Sequence, residues 1–280
     1  MTEQATTSSA DREAVERHRR NISLLGPRDV PIAGYPGSGS SLVGNILVEL
    51  GFAHVDPYAE AIGPDGGTTV VPEWAAYRDR LRTVAGGPER DELRFFKNHL
   101  YPSEYDGVPV AGAVLLVRDP RDAVHSSYQW FRGFSAAWLP ENPKGQGTFA
   151  EFLDDLGINS VPPIAHWAAF NRSWLDALPR FPRSAVLRFE ALKSEPVETV
   201  AGLLAGFGVE VDRSELERAV RRSSFEAMRE HEVRVAGQGP RVNRRGKVGE
   251  WREWIDDEDL AARFRDPELV DTAARLGYRL

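Results

Sequence analysis

The sequence predicts a single α/β domain, a three-layer sandwich in which a central, mainly parallel sheet is flanked by helices. Three observations lead to that class. After Arg28, short apolar runs alternate with amphipathic stretches, the rhythm of strand–helix units. The longest apolar run, Val110–Val117, is continuous rather than alternating, as a strand buried on both faces requires. A glycine- and serine-rich segment, Gly34–Ser41, separates the first apolar run from the first helical pattern.

Residues 1–21 are polar and read as a flexible tail, which could end in a short helix, outside the core; residues 22–280 are expected to form the domain. The first strand is Val30–Tyr35. A helix follows from about Ser41 to Leu50, with Leu42, Val43, Ile46, Leu47 and Leu50 on one face and Gly51 as its stop. Arg94–Lys97 and Ala113–Val117 are the next strands. Asp119-Pro120 supplies an N-cap and a proline at the first helical position, opening a helix to about Trp130. Ala165–Ala177 reads as a helix, Ala185–Phe189 as a strand, and Glu195–Phe207 and Ser214–Arg222 as helices. The Gly- and Arg-rich stretch Glu232–Gly249 reads as a loop.

There is no cysteine, hence no disulfide framework, thiolate metal site or cysteine nucleophile, which suits a reducing compartment. No apolar run approaches the roughly 20 residues of a membrane span, and the N-terminus lacks the apolar core of a secretory signal. The expectation is a cytoplasmic protein. A net charge of −7 argues against nucleic acid as a partner, so any anion site must be locally basic.

Gly34 and Gly39 have the spacing of a Walker-type phosphate loop between a strand and a helix. Glycines allow backbone N–H groups to turn inward, and the helix N-terminus adds partial positive charge. Ser40, however, stands where a nucleoside triphosphatase needs lysine, so the loop suits a shorter phosphate group. On this segment alone a plain Gly-Ser turn is an equal alternative.

Two further segments change the reading. Arg118 ends the buried strand in Val117-Arg118-Asp119-Pro120-Arg121-Asp122, and Ser126 follows two helical turns later. Arg244-Arg245-Gly246-Lys247-Val248-Gly249-Glu250-Trp251 is a basic loop whose guanidinium forks and amides can wrap a phosphate. Together with Gly37, Ser38, Gly39, Ser40 and Ser41, these segments resemble the sulfotransferase family, cytosolic and carbohydrate enzymes alike, over roughly Val30–Trp254. The resemblance implies the P-loop nucleotide-binding form of the predicted sandwich. It also implies a donor, 3′-phosphoadenosine 5′-phosphosulfate (PAPS), whose 3′-phosphate Arg118 and Ser126 would hold. No metal is expected.

Phe96-Lys97-Asn98-His99-Leu100 resembles the family's K-T-H-L segment. The resemblance makes His99 the general base and gives Lys97 the task of orienting the acceptor or stabilising the sulfuryl oxygens. Histidine suits proton abstraction because neutral imidazole is abundant at cellular pH. Ser223–Met228 resembles T-S-F-x-x-M, so Phe225 would stack on adenine. Phe189 stands where the family often has a tyrosine near the adenine amino group. His18, His54, His125, His166 and His231 have no motif partner and are read as structural or surface residues.

The chain departs from the cytosolic pattern Y-P-K-S-G-T-T-W at Gly37, where lysine touches the phosphosulfate, and at Leu42. Its Ser38-Gly39-Ser40-Ser41 is closer to carbohydrate sulfotransferases. Lys97 or an arginine of the C-terminal loop is expected to supply the missing charge. The family's dimer motif is not recognisable in Trp254–Arg265, and no oligomeric state is assigned. Tyr128, Trp130, Phe131, Phe134 and Trp138 read as core first and as an acceptor pocket second. The acceptor would be a hydroxyl of a small molecule, lipid or carbohydrate. The alternatives are a degenerate PAPS-binding protein and a P-loop kinase.

Overall fold

The computed structural model describes residues 9–81, 89–135, 147–154, 161–237, 241, 243–255 and 257–280. Its strands are β1 (Asp29–Gly34), β2 (Phe52–Val55), β3 (Glu60–Ile62), β4 (Thr68–Val70), β5 (Arg90–Asn98), β6 (Ala113–Val117) and β7 (Ser184–Arg188). The helices are α1 (Ser9–Ser23), α2 (Ser40–Glu49), α3 (Ala75–Leu81), α4 (Pro120–Gln129), α5 (Phe149–Asp154) and α6 (Pro163–Ala177), then α7 (Phe189–Ser194), α8 (Pro196–Gly206), α9 (Arg213–Arg222), α10 (Phe225–Ala236), α11 (Glu258–Arg263) and α12 (Pro267–Arg275).

Five strands pair in the order β2-β5-β1-β6-β7, every pair parallel, and β3 and β4 form a separate antiparallel hairpin. The central strands are apolar on both faces because both faces are covered. Val30, Ile32, Phe95, Val114 and Leu116 pack under α2, α8 and α9. Ala33, Phe96, Leu115 and Val117 pack against α4, α6 and α12. The chain leaves β1 toward β2 on one side of the sheet and leaves β6 toward β7 on the other. Since β1 and β6 are neighbours, a crevice opens beyond their C-terminal ends, where ligands bind in open α/β sheets.

Parts of the sequence reading need correction. The segment set aside as a tail contains α1, whose Ala14, His18, Asn21 and Ile22 are buried; Asn21 Nδ2 donates to Glu60 O (2.9 Å). The polar look of α1 comes from its solvent face, which hides a narrow buried stripe. The expected loop from Glu232 starts later, because α10 continues to Ala236 with Met228, His231 and Glu232 buried. The edge strand β2, the β3–β4 hairpin, α3 and the C-terminal helices α11 and α12 were not anticipated. Short edge strands and helices of six to nine residues carry too few periodic positions to be seen.

Candidate active site

The β1–α2 turn is built by left-handed glycines. Gly37 has φ +90°, and Gly39, the N-cap of α2, has φ +103°. A Cβ on Gly37 would lie 2.5 Å from the Ala123 carbonyl oxygen and 3.1 Å from Ser126 Cβ. One on Gly39 would lie 2.5 Å from the Phe189 ring. Glycine is therefore required by both backbone and space, and the turn is pressed directly onto α4. No side chain caps α2, which leaves the Ser40 and Ser41 amides for an anion, while Leu42 N already donates to Gly39 O (3.0 Å).

Arg118, at the tip of β6, joins the separated segments. It is buried (5% exposed), its Nη1 donates to Gly37 O (3.0 Å), and its Nη2 donates to Lys247 O (2.9 Å). Its guanidinium also lies 4.4 Å from the centre of the Phe189 ring. Burial lowers its pKa, with Asp122, Glu190 and Glu250 opposing. Asp122, one turn on, is the second anchor: its carboxylate accepts from Gly249 N (2.7 Å) and Trp251 N (2.8 Å). The C-terminal loop is thus tied to the β6–α4 junction through one arginine and one aspartate, four residues apart. Ser126, half-buried, lies on the side of α4 against Gly37.

In the C-terminal loop, Arg244 Nη2 lies 2.7 Å and Arg245 Nη1 3.1 Å from Oε1 of the buried Glu250. Glu253 takes Arg245 (2.5 Å) and Lys247 (2.8 Å). Gly246 packs against Phe225, since a Cβ there would lie 2.7 Å from that ring.

His99 and Lys97 lie on one face of β5 or its continuation, two residues apart. His99 is half-buried, and its Nδ1 lies 2.6 Å from Gly34 O. A carbonyl can only accept, so Nδ1 carries the hydrogen and Nε2 presents a lone pair. Burial pushes the His99 pKa down to about 4, with the Lys97 charge adding to the effect. Lys97 is buried, with Nζ 2.9 Å from Asp56 Oδ2 and 3.3 Å from the Tyr77 hydroxyl. Burial alone would lower its pKa, but Asp56 and the neighbouring phenols outweigh it and hold the ammonium charged. Ser40, Ser41, Asp56, Arg78 and Lys97 line a cavity of about 20 Å³, room for one water.

A sulfotransferase-domain family model matches residues 27–266. The chain belongs to the sulfotransferase family. Rat Sulfotransferase 2A1 is 25% identical over 168 residues, 57% of this chain and 54% of that protein. Mouse Sulfotransferase 2A2 is 27% identical over 151 residues, 51% of this chain and 50% of that protein. The chain spans about half the length of these relatives. The 3-alpha-hydroxysteroid sulfotransferase of Cavia porcellus matches more widely, 23% identical over 84% of this chain and 81% of its own. Among solved structures, mouse sulfotransferase SULT7A1 complexed with PAP superposes with a TM-score of 0.63 at 17% identity, covering 94% of this chain and 90% of that one. Retinol dehydratase in a complex with retinol and PAP gives 0.59 at 19% identity, covering 96% and 88%. At these identities the likeness shows the fold, the P-loop type expected from the sequence.

Within this sulfotransferase fold the structure brings Gly37–Ser41, Arg118, Ser126 and the Arg244–Gly246 loop together at the C-terminal ends of β1 and β6, with Lys97 and His99 beside them at the end of β5. Sequence reasoning missed Asp122, Asp56 and Arg78. Asp122 carried a signal, a carboxylate one turn after Arg118; Asp56 and Arg78 carried none. Of the aromatic cluster, Tyr128 and Phe131 are core. Trp130 packs partly buried near Tyr58, Trp74 and Tyr77. The Phe134 side chain and Trp138 fall outside what is described. Among the described residues no helix is long and apolar enough to cross a membrane.

Proposed function

We propose that this chain transfers the sulfuryl group of PAPS to a hydroxyl of a small-molecule, lipid or carbohydrate acceptor, giving a sulfate ester and PAP. The observation that carries the reading is the convergence at Arg118, whose guanidinium bonds both the glycine turn (Gly37 O) and the basic loop (Lys247 O). The residues fit the donor. Ser38 Oγ and Arg118 Nε are buried with no hydrogen-bond partner among the described residues, and buried polar groups rarely stay unpaired. The capless start of α2 and these two groups would hold the phosphates, and Phe225 beside Gly246 would hold the base. When bound, PAPS supplies the sulfuryl group and a phosphate leaving group.

The chain's own residues then move one proton and hold charge. His99 Nε2 takes the acceptor hydroxyl's proton as the new S–O bond forms and the bond from sulfur to the phosphate oxygen breaks. Gly34 O, accepting from Nδ1, keeps the ring in the tautomer that does this and steadies the imidazolium afterwards. Lys97, held charged by Asp56, lies beside it to offset negative charge on the departing phosphate. The half-buried Tyr58, 5.9 Å from His99 between ring centres, offers a wall for an acceptor ring or apolar face. Androsterone and retinol, bound in complexes of retinol dehydratase, are hydroxyl compounds of such a kind.

The test is sulfate transfer from ³⁵S-labelled PAPS across a panel of phenols, sterols, lipid alcohols and sugars. A labelled ester with matching release of PAP is expected. PAP binding without transfer to any acceptor would favour a degenerate donor-binding protein, and no binding of either nucleotide would remove the reading.

A further inference from the structure

We propose that Arg78 is the cation that grips the sulfuryl end of the donor, in place of the lysine whose position Gly37 occupies; this rests on the sulfotransferase reading above. Three alternatives fail on geometry or charge. Gly37 cannot carry the missing side chain, because even a methyl group would meet the Ala123 carbonyl at 2.5 Å. Lys97 has two of its N–H groups on Asp56 and Tyr77, so the one that remains can serve the departing phosphate but cannot also grip the sulfuryl oxygens. Arg244 and Arg245 are bound by Glu250 and Glu253 in the loop tied to α4 by Asp122.

Arg78 stands differently. It lies on α3 and lines the same cavity as Ser40, Ser41 and Lys97, where the first turn of α2 meets β5. Among the described residues its hydrogen bond runs from Nε to Glu60 Oε1, at 3.3 Å. Neither terminal nitrogen hydrogen-bonds a described residue, and Nη1 forms only a long ion pair with Asp79 Oδ1, at 3.9 Å. The side chain is 32% exposed, so a ligand can reach it.

Its base is fixed. Asn45 Nδ2 of α2 donates to Leu81 O (2.6 Å), and His231 Nε2 of α10 donates to Asp79 O (2.6 Å), which clamps α3 from two sides. Glu60 is itself held by the Asp56 amide (2.8 Å). Arg78 faces Glu60 and Lys97 faces Asp56, so each cation has a carboxylate partner while the two terminal guanidinium nitrogens remain for sulfuryl oxygens. A planar fork suits that task, since it offers two parallel N–H bonds to adjacent oxygens.

The experiment compares the full-length chain with Arg78→Gln and Arg78→Lys, measuring PAPS and PAP affinity by calorimetry, turnover, and the melting midpoint. PAP lacks the sulfuryl group, so the PAPS-to-PAP affinity ratio isolates the contact. Arg78→Gln is expected to weaken PAPS roughly 10- to 100-fold while PAP changes less than about twofold, the range of a lost hydrogen bond to a charged group. Arg78→Lys should recover part of the loss and keep the melting midpoint within about 2 °C, whereas Arg78→Gln, which leaves the buried Glu60 without this cation, should lower the midpoint by several degrees. Equal weakening of PAPS and PAP, or an unchanged ratio with unchanged turnover, would overturn the role of Arg78 alone. A parent chain that binds neither nucleotide would overturn the sulfotransferase reading and this inference with it.

Discussion

Replacing Gly37 by alanine should cost about 2–5 kcal/mol of stability and disable donor binding, although the change adds one methyl group. Two costs add. At φ +90° an L-residue loses about 1–2 kcal/mol to the clash of its Cβ with the backbone. The new Cβ would then sit 2.5 Å from Ala123 O, 3.1 Å from Ser126 Cβ and 3.1 Å from Ser127 N, so the turn or α4 must move; overpacking of this kind costs about 1–3 kcal/mol. The neighbouring atoms belong to a helix, not to a flexible side-chain end, and cannot yield cheaply. Movement would also break the bond from Arg118 to Gly37 O and displace Ser126. Urea unfolding should give a lower midpoint at unchanged slope, with a melting midpoint lower by roughly 4–15 °C for a chain of this size, and titration should show PAP affinity falling with it. Gly37→Lys should be at least as damaging and should not raise turnover. A Gly37→Ala protein with parental stability and PAP affinity would refute this account of the turn.

Other expectations follow from the same site. His99→Ala should lower turnover about 100- to 10,000-fold with PAP affinity nearly kept; a collapse of PAP binding would remove His99 from the role of base. Because the neutral imidazole is the active form and its pKa lies near 4, kcat/KM should show no histidine limb between pH 6 and 8 and should fall only as pH drops toward about 4. A limb near pH 6.5 would contradict the half-buried position of His99 beside the Lys97 charge. Arg118→Ala removes the bonds to Gly37 O and Lys247 O together and should weaken PAP binding by about tenfold or more, read by calorimetry; unchanged affinity would dissolve the three-segment site. His18, held down to about 3 by burial and by neighbouring His99, couples folding to pH. The unfolded chain takes up this proton near pH 6.5 and the folded chain does not, so stability is fully present above about 6.5 and declines as pH falls from there toward the folded value, by about 1.4 kcal/mol per pH unit for this group. His18→Gln should flatten that slope in melting curves taken from pH 7 to 5.

How much was legible depends on how local each signal is. The β1–α2 junction, β6 and the start of α4 were readable because each combines an apolar run with turn or cap chemistry inside a few residues; Asp119 does accept from Arg121 N, with Pro120 at the first helical position. The tip of β6 also marked Arg118, since a charge that ends a buried strand must find partners. Helix α1 was misjudged because its buried face is a narrow stripe in a strongly charged segment, and only packing against β3 and β5 reveals that His18 and Asn21 face inward. The Glu232–Gly249 stretch is misread because a charged helix end looks like a loop until its charge is seen to be buried; Glu232 accepts from the Asn243 backbone N–H, eleven residues on.

The sequence by itself determined the sheet class, the glycine turn and the order of the three anion-binding segments, since these depend on residues adjacent in the chain. It could not decide which cations are free to act. That depends on which carboxylates fold back onto them, and Asp56 reaches Lys97 across 41 residues while Glu60 reaches Arg78 across 18. Nor could it show that Gly37 has no room for lysine, because the obstructing carbonyl belongs to α4, which only the tertiary structure presses against the turn. Charge and space are properties of neighbours in space, and the chain assembles those neighbours only when β1, β5 and β6 come together.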